Sequence, residues 1–348
     1  MKLKKTSWIA SPRQMAGLAM TPLTLLAVTI LGPAHAGECV PFPTLFAKLA
    51  AEQVPAEAVL IEIRPFKNDT GQKGDEWLVQ GIPHLLKRYL SSGSGLAALT
   101  QPTEKAQYKI EGMFQHTQKW LRTFVQFKDS KGKMIAQFPV ETPYPLHKQF
   151  FSGPKDAALQ ISKKLERELD HAALQAIENE TSSVAAFQNL IKGRAALETY
   201  EPNQIEVALI WFQESRREDH KFASAYDGLL DAYSFLILNH KQKGEAYQPY
   251  IEAIQNTIKE RNKRTGQTID AAEYPILKAH VHFVSGQRAL AKNMPAAAAK
   301  EFQAALEALP IDAATAYALS ESYAKLGNAK EAEKYRKHAE ALNPCLKK

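Results

Sequence analysis

Two pairs of side chains in this sequence have residue types and a spacing that could do chemistry. Asp227 and Asp231 are four residues apart, so on a helix they share one face and could act as an acid–base pair or hold a cation. His280 and His282 are metal-ligating residues, but side chains two positions apart on a helix point to different sides and cannot share one ion without distortion. Carboxylates four residues apart are far commoner as solvated helix faces than as catalytic pairs, so neither pair predicts an enzyme.

The common catalytic and nucleotide-binding motifs are missing from the sequence after residue 36. It contains no Gly-x-Ser-x-Gly, His-Glu-x-x-His, Cys-x-x-Cys or dinucleotide-binding glycine pattern. Residues 68–74 come between a predicted strand and a predicted helix, as phosphate-binding loops do, but they lack the Gly-Lys-Ser/Thr ending and the paired glycines. We therefore interpret this segment as a turn, and we predict no catalytic residue, no cofactor and no metal site.

The first 36 residues have the composition of a cleaved export signal. Four basic residues come first, an apolar run follows from Met15 to Leu31, and Ala34-His35-Ala36 supplies small residues for cleavage. The run is short for a bilayer span and contains threonines and a proline, which disfavours an uncleaved anchor. We predict a cut after Ala36, a lead-in over residues 37–56, and no transmembrane segment after cleavage.

The charge of the remaining chain is too small to indicate a nucleic-acid partner. The leader carries four of the charges that make up the net +7 and has no acids, which leaves +3 for the rest. The basic cluster from Lys259 to Arg264 contains Glu260 and precedes Gly266, as expected of a solvated helix end whose cations complement the helix dipole. We predict no nucleic-acid binding.

The two cysteines leave one question open. Cys39 follows the predicted cleavage site and Cys345 lies almost at the end of the chain, so in an oxidising compartment the two could form a disulfide. A disulfide needs the two Cα atoms to lie about 5.5 Å apart, and a helical solenoid need not bring its ends so close. Lipid modification of Cys39 is disfavoured because Glu38 occupies the place of a small residue.

Residues 57–180 have the pattern of helices packed on a sheet. The segment from Ala58 to Phe66 alternates apolar and charged side chains, which predicts a strand with one buried face. Apolar residues then recur at helical spacing from Trp77 to Leu90, and Pro83 predicts either a kink or the true start of that helix.

Further elements complete this domain. Three strands are predicted at residues 107–114, 120–127 and 134–140, and a polar turn with a glycine joins the last two. One helix is predicted from Lys155 to about Glu178. An order of strand, helix, several strands and helix indicates the α+β class.

The last part of the sequence repeats a spacing of small and large residues that helical hairpins use. Gly286 and Ser320 are 34 residues apart, the period of a two-helix repeat in which small residues let helices cross closely and large residues fill the seam. Weaker copies align Gly193 and Leu230 with them, in steps of 37 and 56 residues. We predict an all-α helical-hairpin solenoid over residues 182–348.

The long step between copies has a structural consequence. It exceeds the 34-residue period by 22 residues. The extra chain predicts a lengthened helix or an additional one within residues 247–278.

Two resemblances to known families add to this interpretation. The stretch from Arg64 to Gly71, followed by Trp77-Leu78, Gly81-Ile82 and Leu85-Leu86, resembles the amino-terminal domain of TolB and of related FlgO-like and CsgG-like envelope proteins over residues 57–178. The carboxy-terminal copies resemble tetratricopeptide repeats. The residues that carry this second resemblance are Gly286, Ala298, Phe302, Ala305, Pro310, Ala316, Leu319, Ser320, Tyr323, Gly327, Ala332, Ala339 and Pro344.

The tetratricopeptide resemblance implies which residues would contact a partner. In such repeats the second, fifth, ninth and twelfth residues of each first helix face a concave groove. We call the corresponding residues of this sequence the groove positions. The candidates are Phe187, Leu190, Arg194, Asp227, Asp231, His280, Phe283, Gln287, Tyr317 and Glu321. This aromatic and mildly acidic set favours an extended or helical protein segment, although Phe187 and Phe283 could instead pack between hairpins.

Together the two resemblances imply binding rather than catalysis. They lead us to expect an exported periplasmic scaffold, with outer-membrane association left open, that uses the groove to hold a protein partner in the cell envelope. The alternative is a regulator or activator of an envelope enzyme or assembly machine, in which the α+β domain makes the decisive contact.

Overall fold

The computed structural model describes residues 57–93, 95–199 and 201–343. These residues form two compact units, the first made of residues 57–195 and 210–228, the second of residues 196–209 and 229–343. The predicted signal segment, the lead-in and both cysteines lie outside the described residues, so the cleavage after Ala36 and the Cys39–Cys345 disulfide stay predictions.

The first unit contains a mixed sheet. Its strand order is β3-β1-β4-β5-β6, with the short β2 paired to β4. Strand β1 is parallel to both neighbours, β3 and β4, whereas β4, β5 and β6 form an antiparallel meander. The strands are β1 (Val59–Ile63), β2 (Lys67–Asn68), β3 (Leu96–Leu99), β4 (Tyr108–His116), β5 (Trp120–Asp129) and β6 (Met134–Pro143).

Alternation along the strands explains the buried face of this sheet. On β5, Leu121, Val125 and Phe127 are buried while Trp120 and Arg122 are exposed. The predicted strands at 58–66, 107–114, 120–127 and 134–140 are confirmed, each with ends shifted by a few residues. Strand β3 was not predicted.

Helix α1 (Leu78–Leu90) packs beside β1 and β3, and Pro83 lies inside it. The helix therefore begins five residues before the proline, not at it. Proline has no N–H to donate to the carbonyl of Val79 one turn earlier. The backbone N–H of Phe66 donates to that carbonyl instead, at 3.0 Å. The proline thus frees an acceptor that attaches the helix to the chain leaving β1.

The single helix predicted from Lys155 to about Glu178 is wrong, because the structure divides it into α2 (Ser152–Lys164) and α3 (His171–Glu178). Glu166 in the break has a φ of 53°, which no helix interior contains. The carboxylate of Asp170 then accepts hydrogen bonds from the N–H groups of Ala172 and Ala173, which caps the new helix.

From residue 184 the described chain is helical, with eight helices in hairpin-like packing. They are α4 (Val184–Leu197), α5 (Pro202–Glu218), α6 (Ala223–Lys243), α7 (Gln248–Thr265), α8 (Pro275–Ala291), α9 (Pro295–Ala308), α10 (Ala313–Lys325) and α11 (Ala329–Leu342). None of the helices in the described part of the chain is long and apolar enough to cross a membrane.

The close approach predicted at the repeated glycines is confirmed. A Cβ atom added to Gly193 on α4 would lie 2.5 Å from the ring of Phe212 on α5. A Cβ added to Gly286 on α8 would lie 2.6 Å from the ring of Phe302 on α9. Both phenylalanines are completely buried. In both hairpins, glycine is required because the partner ring occupies the place of a side chain.

Lengthened helices account for most of the 22 extra residues and the longer linker over residues 266–274 for most of the rest; the described residues contain no additional helix there. Helix α6 has 21 residues and α7 has 18, whereas α10 and α11 have 13 and 14. The second unit has one continuous apolar core, to which α6 contributes Ile237 and Leu238 and α7 contributes Ile254. The end of α6 therefore reaches further than the corresponding end of α10.

Candidate partner-binding surface

The first hairpin is formed by α4 and α5, and its groove positions are covered by other side chains of the same chain. Phe187 and Leu190 on α4 are 1% and 0% exposed. The ring of Phe187 lies 6.0 Å from that of Trp77 and 5.4 Å, edge to face, from that of Phe151. A partner of the folded chain cannot contact these two side chains, because aromatic residues of the first unit already fill the space around them.

The next groove positions are also withdrawn from solvent. Arg194 is half-buried, with its guanidinium 5.6 Å from the centre of the Phe212 ring. Asp227 and Asp231 on α6 are only 6% and 5% exposed. These two aspartates therefore do not form the solvated helix face that their spacing suggested.

In the third hairpin, formed by α8 and α9, a lysine side chain covers one of the groove positions. Phe283 on α8 is 6% exposed, and the ammonium of Lys241, at the end of α6, lies 3.4 Å from the centre of its ring. His280, one turn earlier, is half-buried against the ring of Tyr247 at 5.6 Å. The chain that ends α6 therefore covers the amino-terminal half of this predicted groove.

A buried polar cluster surrounds this lysine. Its ammonium forms an ion pair with the carboxylate of Asp312 and donates to the hydroxyl oxygen of Thr315 at 2.8 Å. Asp312 and Thr315 are 1% and 0% exposed. Such a charge is tolerated inside a core only because it is paired and hydrogen-bonded.

Burial and neighbouring charges shift the pKa values of this cluster. Burial lowers the pKa of Lys241, and the nearby Asp312 carboxylate opposes that change. Burial lowers the pKa of His280, and the positive charge of Lys241 lowers it further. Burial raises the pKa of Tyr247, and the charge of Asp312 adds to the rise. At neutral pH the histidine and the tyrosine are therefore uncharged.

Three groove positions remain open to solvent. Gln287 on α8 and Tyr317 and Glu321 on α10 are all exposed, and Tyr317 shows 42% of its surface. Tyr317 and Glu321 are one turn apart on α10, so they face the same way. An exposed aromatic ring beside a carboxylate can supply contact area and one charged acceptor to a partner.

Sequence reasoning missed Lys241, Asp312 and Thr315. Asp312 could have been identified as a helix cap, because an aspartate three residues before a threonine at the start of an apolar run is a typical helix start. No pattern links Lys241 to it, because 71 residues separate the two along the chain.

The described residues contain no cluster of potential metal ligands, and neither the family models nor the curated proteins match the sequence. Across residues 57–93, 95–199 and 201–343, no group of three or more His, Cys, Asp or Glu side chains could hold a metal ion. No protein-family model matches the sequence, and no curated protein is significantly similar to it.

Proposed function

We propose that this chain is an exported, non-enzymatic scaffold that holds a protein partner in the bacterial envelope. The observation that carries the proposal is the exposure of Gln287, Tyr317 and Glu321 at groove positions of two helices that also contribute to the buried core. Exposed aromatic and polar side chains on a rigid helix pair are typical of a binding surface. We propose the periplasm as its location because the first 36 residues are predicted to be an export signal.

The spacing of the hairpin seam supports the tetratricopeptide interpretation. The glycine-to-phenylalanine contact recurs at Gly193 with Phe212 and at Gly286 with Phe302. Ala298, Ala305 and Ala316 are also completely buried, as small residues at helix crossings should be. A helix pair built in this way holds its exposed face in a fixed geometry.

The chemistry of the open positions suggests the kind of partner. One aromatic ring, one carboxylate and one amide favour a protein segment that offers apolar surface and a basic side chain. The open positions comprise one residue of α8 and two residues of α10 that are one turn apart, so we expect a short segment rather than a large domain.

A second candidate function rests on the sheet. Trp120 and Ile135 are 40% and 43% exposed on β5 and β6, and β6 is an edge strand. Exposed apolar side chains at a sheet edge favour the alternative of a regulator that acts through the α+β domain. Pro139 lies within β6 and hinders simple strand addition there.

The two functions can be separated by capture from the native envelope fraction. The bait is the chain from Gly37 onward, cross-linked to its neighbours, with Tyr317→Ala/Glu321→Ala compared with Trp120→Ala. The groove proposal predicts that only the first variant loses the wild-type partner, while a Lys300→Ala control on an exposed side chain of α9 retains it. Loss with Trp120→Ala alone would favour the regulator.

The full chain is essential in this experiment. A shorter bait beginning at Ser182 would remove Trp77 and Phe151 from the ring of Phe187. The exposed ring would then create an apolar surface that the folded chain does not have.

A further inference from the structure

The cluster around Lys241 has the parts of a binding site for a primary ammonium group. One side is the face of the Phe283 ring, which attracts a cation through its quadrupole. The other side is the Asp312 carboxylate with the Thr315 hydroxyl, two acceptors for N–H groups. An ammonium group has both the charge and the N–H donors this combination requires, and the single Lys241 nitrogen reaches the ring, the carboxylate and the hydroxyl at once.

The three residues that contact the ammonium are each held in place by interactions that do not involve Lys241. Asp312 caps α10, because its Oδ1 accepts from the N–H of Thr315 at 3.1 Å and its Oδ2 accepts from the Thr315 hydroxyl at 2.6 Å. Phe283 packs against Phe302, with ring centres 5.6 Å apart. The helix cap and the core packing therefore orient the site, and the lysine adds only the cation.

The lysine comes from the end of the longest helix in the described chain. Helix α6 continues for eight residues more than α10 before it ends. Gly244 stops it with a φ of 70°, and the N–H of Glu245 bonds back to the carbonyl of His240 at 2.9 Å. Immediately afterwards, Tyr247 lies against His280. Residues 241–247 together cover two groove positions of α8.

We propose that Phe283, Asp312 and Thr315 form a primary-ammonium site, and that Lys241 occupies it as a built-in ligand which closes the amino-terminal half of the groove. A partner reaches this half only when Lys241 leaves the site. The ammonium site stands on the contacts alone, whereas the closing of the groove rests on the proposed function. The ligand class is a primary amine such as a lysine side chain of the partner.

The ammonium site is tested by emptying and refilling it. Lys241→Ala removes the ammonium and leaves the carboxylate of Asp312 buried and unpaired, so we expect the thermal midpoint to fall by about 5 °C or more. Methylammonium chloride should restore at least half of that loss in a saturable manner. Tetramethylammonium, which has no N–H to donate, should restore none of it. Lys243→Ala, on an exposed side chain of the same helix, should leave the midpoint unchanged and insensitive to methylammonium.

A second variant isolates the carboxylate charge. Asparagine caps helices as well as aspartate does, so Asp312→Asn keeps the start of α10 while removing the charge. In Lys241→Ala/Asp312→Asn, methylammonium should have no effect on the midpoint. Equal rescue in the single and double variants, or no rescue in the single one, would overturn the ammonium site.

A third variant tests the closing of the groove. Lys241→Met keeps most of the side-chain volume and so avoids the cavity of Lys241→Ala, but it also leaves the Asp312 carboxylate without its cation, so circular dichroism must show that the variant is folded at the temperature of the capture. In the envelope capture it should retain at least twice as much of the wild-type partner as the unaltered chain does. Equal or lower retention would refute the closing role. If neither chain retains a partner, the proposed function fails, while the methylammonium result still decides the ammonium site.

Discussion

The first and the last hairpin occupy their groove positions in opposite ways. On α4, Phe187 and Leu190 are buried among aromatic side chains of the same compact unit. On α10, Tyr317 and Glu321 are exposed. The same repeat position therefore contributes to core packing in one copy and to the surface in another. The repeat period thus predicts the helices and the contacts between them, whereas the neighbours of each copy decide which of its groove positions are exposed.

The seam itself differs little between copies. The ring of Phe212 fills the place beside Gly193 as that of Phe302 fills the place beside Gly286. This contact lies within one hairpin and depends on local sequence, so it survives where the groove positions diverge.

The largest expected effect is the difference in stability between an alanine substitution at a buried groove position and one at an exposed groove position. Phe187→Ala should lower the free energy of unfolding by about 3–5 kcal/mol, because it leaves a cavity among packed rings. Tyr317→Ala should change it by less than about 0.5 kcal/mol, because that ring is exposed. Urea unfolding followed by far-ultraviolet circular dichroism measures both. Similar losses in the two variants would contradict the contrast between the copies.

Next in size is the cost of disturbing the shared seam. Gly193→Ala and Gly286→Ala should each lower the free energy of unfolding by about 1–3 kcal/mol, because the new Cβ would press on a buried ring. Gly74→Ala is the matched control, since a Cβ there would meet nothing within 4 Å. Both glycine variants should lose more free energy of unfolding than the control in the same urea titration. A seam variant as stable as the control would show that the hairpins do not share this contact.

Acid sensitivity should also differ between the surroundings of the first hairpin, where the ring of His84 on α1 lies 6.0 Å from that of Phe187, and those of the third, where His280 lies on α8. Burial, together with the positive charges of Arg88, Arg194 and Lys87, lowers the pKa of His84 well below its usual value. The unfolded chain binds a proton at this histidine below about pH 6.5, and the folded chain does not. The free energy of unfolding therefore falls as the pH drops below about 6.5, by at most about 1.4 kcal/mol per pH unit for this one group.

Two histidine variants check this expectation. His84→Gln should flatten the loss of stability between pH 6.5 and the folded pKa, as measured by urea unfolding over a series of buffers. His280→Gln should flatten it less, because the pKa of His280 is lowered to a smaller degree by partial burial and Lys241. If the His84 variant lost as much free energy of unfolding at acid pH as the unaltered chain, the imidazole of His84 would be protonated in the folded chain as well.

Local patterns predicted the secondary structure well where one element's sequence was sufficient. The alternation along β5 and the helical spacing of Leu78, Leu85 and Leu86 are both found in the structure. Strand β3 was missed because Leu96-Ala97-Ala98-Leu99 has no polar alternation, and both leucines are buried. The break between α2 and α3 was missed because apolar residues continue at helical spacing through it. In the structure the Asp170 carboxylate caps the start of a second helix there.

The candidate surface was only partly predictable for a different reason. Tyr317 and Glu321 were assigned to the groove from their place in the repeat, and both are exposed. Phe283 was assigned in the same way, but Lys241 covers its ring. The contact joins residues 42 positions apart and depends on how far α6 extends. Repeat spacing contains no information about such a contact.

The most direct test of the central claim is site-specific photo-cross-linking in living cells. A benzoylphenylalanine at position 317 of the full chain should form a covalent adduct with an envelope protein, and the same group at position 120 on the sheet should not. That result would assign partner binding to the exposed face of the last hairpin. An adduct at position 120 without one at position 317 would contradict this account and favour a regulator that acts through the α+β domain.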